Sequence, residues 1–561
     1  MNDRVYTEEE IQDLTDRVFL LRAQLEAGKI HFAAHLVDDF RRSYEAIRLR
    51  SDGFVNPTTV DGRIRSATLM IRAMKNRDEA KKAISLGDIQ EAYFTLLYKQ
   101  FGWLFDQMTK AKATPSQAAS AMINDRGFIK EMKSGLPELA KDLKEFWENV
   151  GDPGAFHLQD GNQLKATFAG DLFPAHWENA VSTAGLYIDT IVLPCPIMRI
   201  SPLLGVIPGK EVARLLVKHV LTAMTYREVA TANVTPPIAL ILPNPEDFDR
   251  DTRKHLISRA EPAMLKHGTH LFGRTFESLD ELDEFCGTLK TIEQVAAELK
   301  GGDRLLFDSE WGSDPIAQLS RAMSERQPSI PGLDAAVAGN HILGSYYGRM
   351  PQALGAQENA THFGGTPLIN AETSWRYYTW LLEYESVDSK VEIGQATGTH
   401  IARALVSELN QNLAWLGNVP PSTVIEIRKS GLADELRQIL RVGVEDLVLS
   451  NPQNYFRTAD QVVGNLDQAF REHQRLLLDS RQKKLKLYGF DVGSFVATGA
   501  IAVTAALTSN PALGALSGLL GISGLPNLKD LKSRFKTQAE EEQARRHSPT
   551  GLLFKHVKRS V

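Results

Sequence analysis

Cysteine is nearly missing from this chain, with 2 among 561 residues. Neither Cys195 nor Cys286 sits in a metal-ligand or redox spacing, which argues against a disulfide framework and against zinc-ribbon or thioredoxin-like motifs. Cys195, held between Pro194 and Pro196, reads as a small buried apolar residue. An excess of charge of one sign is missing too. The formal net charge is -5 and the pI is near 6.3, so no global field recruits nucleic acid and no sequence-specific nucleic-acid partner is expected. The N-terminus, MNDRVYTEEEIQDL, lacks the basic-then-apolar run of a secretory signal. Together with the sparse cysteines, this gives a cytoplasmic expectation, extended below to the inner face of a membrane.

Cofactor motifs are also lacking. Gly205-Val206-Ile207-Pro208-Gly209-Lys210 is one residue too short between its glycines for a Walker A loop, and Glu211 stands where Ser or Thr would hold magnesium. His31 and His35 lie one helical turn apart, with Asp38 and Asp39 a turn further on, but no third ligand completes a metal set. No metal site and no resident cofactor are therefore expected.

What the chain does have is length and amphipathic periodicity. A chain this long exceeds a single core and should divide into several domains. Residues 1–150 read as an α-helical domain. Thr7 and Glu10 have capping-box spacing before the apolar series Ile11, Leu14, Val18, Leu21 and Leu25. Further helices are predicted over 30–49, 60–82, 88–110 and 137–150. The texture changes after the Gly-containing loop 151–161. Over 164–312, short β-branched runs at 188–193, 238–242, 270–276 and 305–307 alternate with helical stretches at 211–225, 250–266 and 279–299, which predicts an α/β domain. Residues 313–450 read as loop-rich to about 365, with helices expected from 373. The aromatic run Trp375, Tyr377, Tyr378 and Trp380 reads as a core helix. A long helix from about 455 to 486 opens the last region, 451–561. The expected fold class is thus mainly α and multidomain, with a smaller α/β central layer and a C-terminal apolar helical hairpin.

That hairpin is the most distinctive stretch. Although 24% of the chain is charged, Val492 to Leu528 contains no charged residue. Ser509-Asn510-Pro511 divides it into two arms, because the residue before proline is pushed out of the helical region. An arm of about 15 residues spans roughly 22 Å as a helix, against roughly 30 Å for a bilayer core, so a shallow or re-entrant hairpin fits better than two full spans. Phe495, Ile501, Leu513, Leu516 and Leu520 would supply the apolar contact. Lys483 and Lys484 on one side, and Lys529 and Lys532 on the other, would face an anionic leaflet. The competing reading packs the hairpin in a core or at a subunit interface.

Carboxylates near the strand-like runs are the enzymatic lead. Asp308, Glu310 and Asp314 follow the run at 305–307, and open α/β sheets bind ligands at strand carboxyl ends. They are the candidate catalytic residues of an alternative reading, a soluble metal-dependent hydrolase using a divalent cation. Asp189 and the group Glu246, Asp247 and Asp249 also lie beside strand-like runs. The leading expectation is a non-enzymatic interaction or effector protein. Its hairpin would engage an anionic membrane or a partner, whether another protein or a second copy of the chain. Soluble bodies carrying sequestered apolar hairpins recur among membrane-damaging effectors of cell conflict.

Overall fold

The computed structural model describes residues 5–30, 34–174, 180–247, 250–325, 333–385, 393–406, 419–450, 454–487 and 547–557. Helices dominate, and four short strands form one parallel sheet. The mainly α expectation with a small α/β layer holds. The predicted hairpin, with Phe495, Ile501, Leu513, Leu516, Leu520, Lys529 and Lys532, lies outside the described residues. Among the described residues, no helix is long and apolar enough to cross a membrane.

The chain divides into two compact units, residues 1–89 with 145–161, and residues 90–144 with 162–561. The first is built on the helices Glu8–Glu26 and Gly62–Ala83. The capping box at Thr7 and Glu10 is present, each satisfying a backbone N–H of the first turn. The periodic residues Leu14, Val18 and Leu21 pack with Val55, Val60, Ile64 and Ile71 into a core. Full burial of each such side chain contributes about 1.5–3 kcal/mol. The Thr15 hydroxyl donates to the Ile11 carbonyl and accepts from the Val55 N–H, stitching a loop to the helix. Asp160 receives both Arg77 and Lys81.

The second unit carries the sheet. Its strands are β1 (Lys165–Phe168), β2 (Thr190–Leu193), β3 (Ala239–Ile241) and β4 (Thr366–Leu368), in spatial order β3-β2-β1-β4. Every strand residue is buried, as parallel sheets with covered faces require. On the far side of β3, where an edge strand would leave backbone groups open, the buried Gln90 amide takes the place of a further strand. It donates to the Ile241 carbonyl at 3.0 Å and accepts the Ile241 N–H at 2.8 Å.

Two predicted strands are not strands. The run at 270–276 contains the end of the helix Arg250–Phe272. The run at 305–307 is irregular because side chains satisfy its backbone. Gln318 accepts from the Phe307 N–H at 2.8 Å, and the Tyr377 hydroxyl donates to the Leu306 carbonyl at 2.8 Å. The expected loop-rich stretch holds the helices Pro315–Glu325 and Ala338–His362 and then β4. The aromatic run on the helix Glu372–Glu385 is buried, as predicted, in a core shared with the helices Arg250–Phe272, Leu279–Thr288 and Ala338–His362. At the start of β2, Asp189 receives Arg428 and Arg437 from the helices Pro421–Lys429 and Ala433–Arg441. Its second carboxyl oxygen accepts the Leu164 N–H at 2.9 Å.

Candidate functional site

A cleft of about 540 Å³ opens at the carboxyl ends of the strands. Its walls come from the segments that leave β1, β2 and β3 and from the helix Ala338–His362. Parallel α/β sheets place ligands at this edge, because the connections leaving neighbouring strands splay apart there.

The sequence after β3 builds the polar wall. In Pro243-Asn244-Pro245-Glu246-Asp247, Asn244 precedes a proline and stays extended, and a 3-10 turn then covers Pro245–Asp247. The Asn244 N–H donates back to Asp247 Oδ2 at 3.3 Å. Asn244 and Asn359 are 3% and 9% exposed. Their amides both donate to Glu246 Oε1, at 3.2 and 2.8 Å. Two separate elements thus fix one carboxylate in the cleft. Gly355 lies beside this carboxylate: a Cβ there would be 3.7 Å from Glu246 Oε1, an ordinary contact, and 3.1 Å from Leu256 Cδ2, a tight one.

Arg199, on the short helix Pro196–Ile200 after β2, ties the strand ends together. Its Nε lies 3.3 Å from Asp247 Oδ2, and its NH1 donates to the Asp171 carbonyl at 2.6 Å. Burial pushes the Asp247 carboxyl up to about 6, with Arg199 pulling the other way and Glu246 adding to the rise. After β1 the chain turns sharply at Gly170, where φ is +85° and a Cβ would come within 2.8 Å of Ser374 Cβ. Ser374 donates to the Gly170 carbonyl at 2.5 Å and accepts from Arg349 NH1 at 3.1 Å. Arg349 NH1 also meets Gln352 Oε1 at 3.2 Å. The cleft therefore contains one internal ion pair, Arg199 with Asp247. Of the other charged groups lining it, Glu246 and Arg349 are held by neutral partners, and Asp171 and Arg253 complete the set.

The candidate residues from the sequence fall in several places. Glu246 and Asp247 are in the cleft, and Asp249 is outside the described residues. Asp308, Glu310 and Asp314 are not among the cleft's lining residues. Asp308 caps the turn Ser309–Trp311 through the Glu310 N–H, and Asp314 accepts the Ile316 and Ala317 N–H groups at the start of a helix. Glu310 is exposed. Lys483 and Lys484 fall near the end of the helix Tyr455–Leu487. Asp39 pairs with Arg42 and Arg63, and His31 is outside the described residues. Among the described residues, no group of three or more His, Cys, Asp and Glu is placed to hold a metal ion. Cys195 is buried, with its Sγ 3.4 Å from the Tyr93 hydroxyl.

Sequence reading missed Arg199, Arg349, Asn244 and Asn359. Asn244 carried a usable signal, standing between Pro243 and Pro245 just after an apolar run. Arg349 and Asn359 carried none, because their helix lies in a stretch whose glycines and prolines read as loop. Comparison with family models, with curated proteins and with solved structures finds no match.

Proposed function

We propose that the chain is a receptor-type effector. Its cleft at the strand ends receives a small molecule, and its uncharged stretch from Val492 to Leu528 engages an anionic membrane or a partner subunit. The observation that carries the receptor half is the fixed polar wall at the sheet's carboxyl edge, where Glu246 is held by two buried amides from different elements. A carboxylate immobilised in an open cleft is arranged before any ligand arrives, which lowers the ordering cost of binding. The output half is supported by sequence alone. A charge-free stretch bracketed by lysines gains from burial against lipid, and each base near an anionic surface adds about 1 kcal/mol.

Flotation of the full chain with anionic vesicles, beside a deletion of Val492 to Leu528, tests the output half at two salt concentrations. Flotation that needs the stretch and weakens with salt supports a membrane site. A full-length protein that stays with the soluble fraction, together with a deletion that loses self-association in sedimentation, moves the target to a partner subunit. Neither behaviour in a well-folded deletion removes the effector reading.

A further inference from the structure

We propose that the cleft takes an elongated small molecule with an anionic group at one end, seated on Arg349, and a nitrogen hydrogen-bond donor at the other, seated on Glu246. This deepens the receptor reading above and rests on it. The inference begins with charge accounting. Arg199 and Asp247 satisfy one another. Among the described residues, Arg349 is held by the neutral acceptors Gln352 and Ser374, and Glu246 by the neutral donors Asn244 and Asn359, while Asp171 and Arg253 add one charge of each sign to the lining. Neither Arg349 nor Glu246 forms an ion pair among the described residues. Charges in a partly buried site without counter-charges carry a desolvation cost that a complementary ligand returns.

Hydrogen-bonding capacity points the same way. Only NH1 of Arg349 is used, which leaves Nε and NH2 of the guanidinium fork for a carboxylate or phosphate. Both amides converge on Glu246 Oε1, which leaves Oε2 to accept from a ligand N–H. Spacing sets the length. Gly355 stands level with Glu246 and lies six residues after Arg349 on the same helix, about 9 Å along its axis. A nucleoside monophosphate and a short peptide both have the required reach.

Isothermal titration calorimetry on the full chain distinguishes the sources. The probes are AMP and triglycine, with adenosine and inorganic phosphate as one-ended controls. The expected result is saturable binding of one two-ended probe and at least tenfold weaker binding of its one-ended controls. Arg349→Gln and Glu246→Gln should each weaken that probe at least tenfold while unfolding at the wild-type temperature. If AMP is the probe, Arg349→Gln should leave adenosine affinity unchanged. No binding of either probe at millimolar concentration overturns the assignment, as does binding indifferent to both substitutions. A shifted unfolding temperature in both variants, with no change in binding, makes Arg349 and Glu246 structural cross-links instead. None of these failures touches the vesicle result, so the ligand assignment and the effector reading fall separately.

Discussion

At the scale of single residues, two side chains, Gln90 on the helix Leu86–Lys110 and Asp247 in the turn Pro245–Asp247, hold the sheet and its cleft. Gln90 closes the β3 edge with paired hydrogen bonds to Ile241. Gln90→Leu keeps the volume but strands a buried N–H and carbonyl, so stability should fall by about 2–4 kcal/mol, read from urea denaturation. An unchanged midpoint would mean that water reaches the edge. Asp247 acts in the opposite sense. Its folded value of about 6 lies above the unfolded value of about 3.9. The native state therefore binds more protons between these values, and stability declines as pH rises through that window. Asp247→Asn removes this dependence. Its unfolding temperature relative to wild type should climb from pH 4 to pH 7, whatever the constant offset from losing the Arg199 contact. A flat difference across that range would contradict the burial-driven shift.

At the scale of elements, the Asp189 cluster fastens two helices to the amino end of β2. Burial alone would raise its carboxyl, but the Arg428 hydrogen bond and the charges of Arg428 and Arg437 outweigh it and hold the group below the usual range. A depressed carboxyl contributes stability above its unfolded value, and that contribution is lost as pH falls through the folded value. Asp189→Asn should therefore destabilise by several kcal/mol at neutral pH, since it leaves two arginines facing a neutral amide. The gap to wild type should shrink below about pH 4, as followed by circular dichroism. The same element scale explains what was legible beforehand. Helices with clear 3.6-residue periodicity, such as Glu8–Glu26 and Gly209–Thr225, were readable, and so were β2 and β3, whose β-branched runs exceed the strands themselves. β1 and β4 were not. Lys165–Phe168 and Thr366–Leu368 are three or four residues long, and one contains a proline, so neither shows a pattern until a neighbouring strand is present. Of the cleft, the sequence drew attention only to Glu246 and Asp247, as acids beside a strand-like run. Much of the rest sits on the helix Ala338–His362, whose Gly344, Gly348, Pro351 and Gly355 disguise it as loop.

At the scale of the whole molecule, the described chain contains two compact units with separate cores. Leu21 is fully buried in the first. Leu21→Ala should cost about 2–5 kcal/mol. By hydrogen exchange, the lost protection should concentrate in Glu8–Glu26 and Gly62–Ala83 while β1 to β4 keep theirs. Equal loss across the sheet would show that the units unfold as one.

The parallel pairing of β1 carries a consequence for synthesis. Ala166 pairs with Thr366, so a strand made early waits for a partner encoded 200 residues downstream. At roughly 5–20 residues per second, the ribosome leaves that seam open for about 10–40 s. The nascent chain meanwhile presents a strand that is buried in the folded protein with one side unpaired, a surface open to misassociation. Overproduction at low temperature, or alongside chaperones, should therefore raise the soluble yield of the intact chain more than any change to its surface.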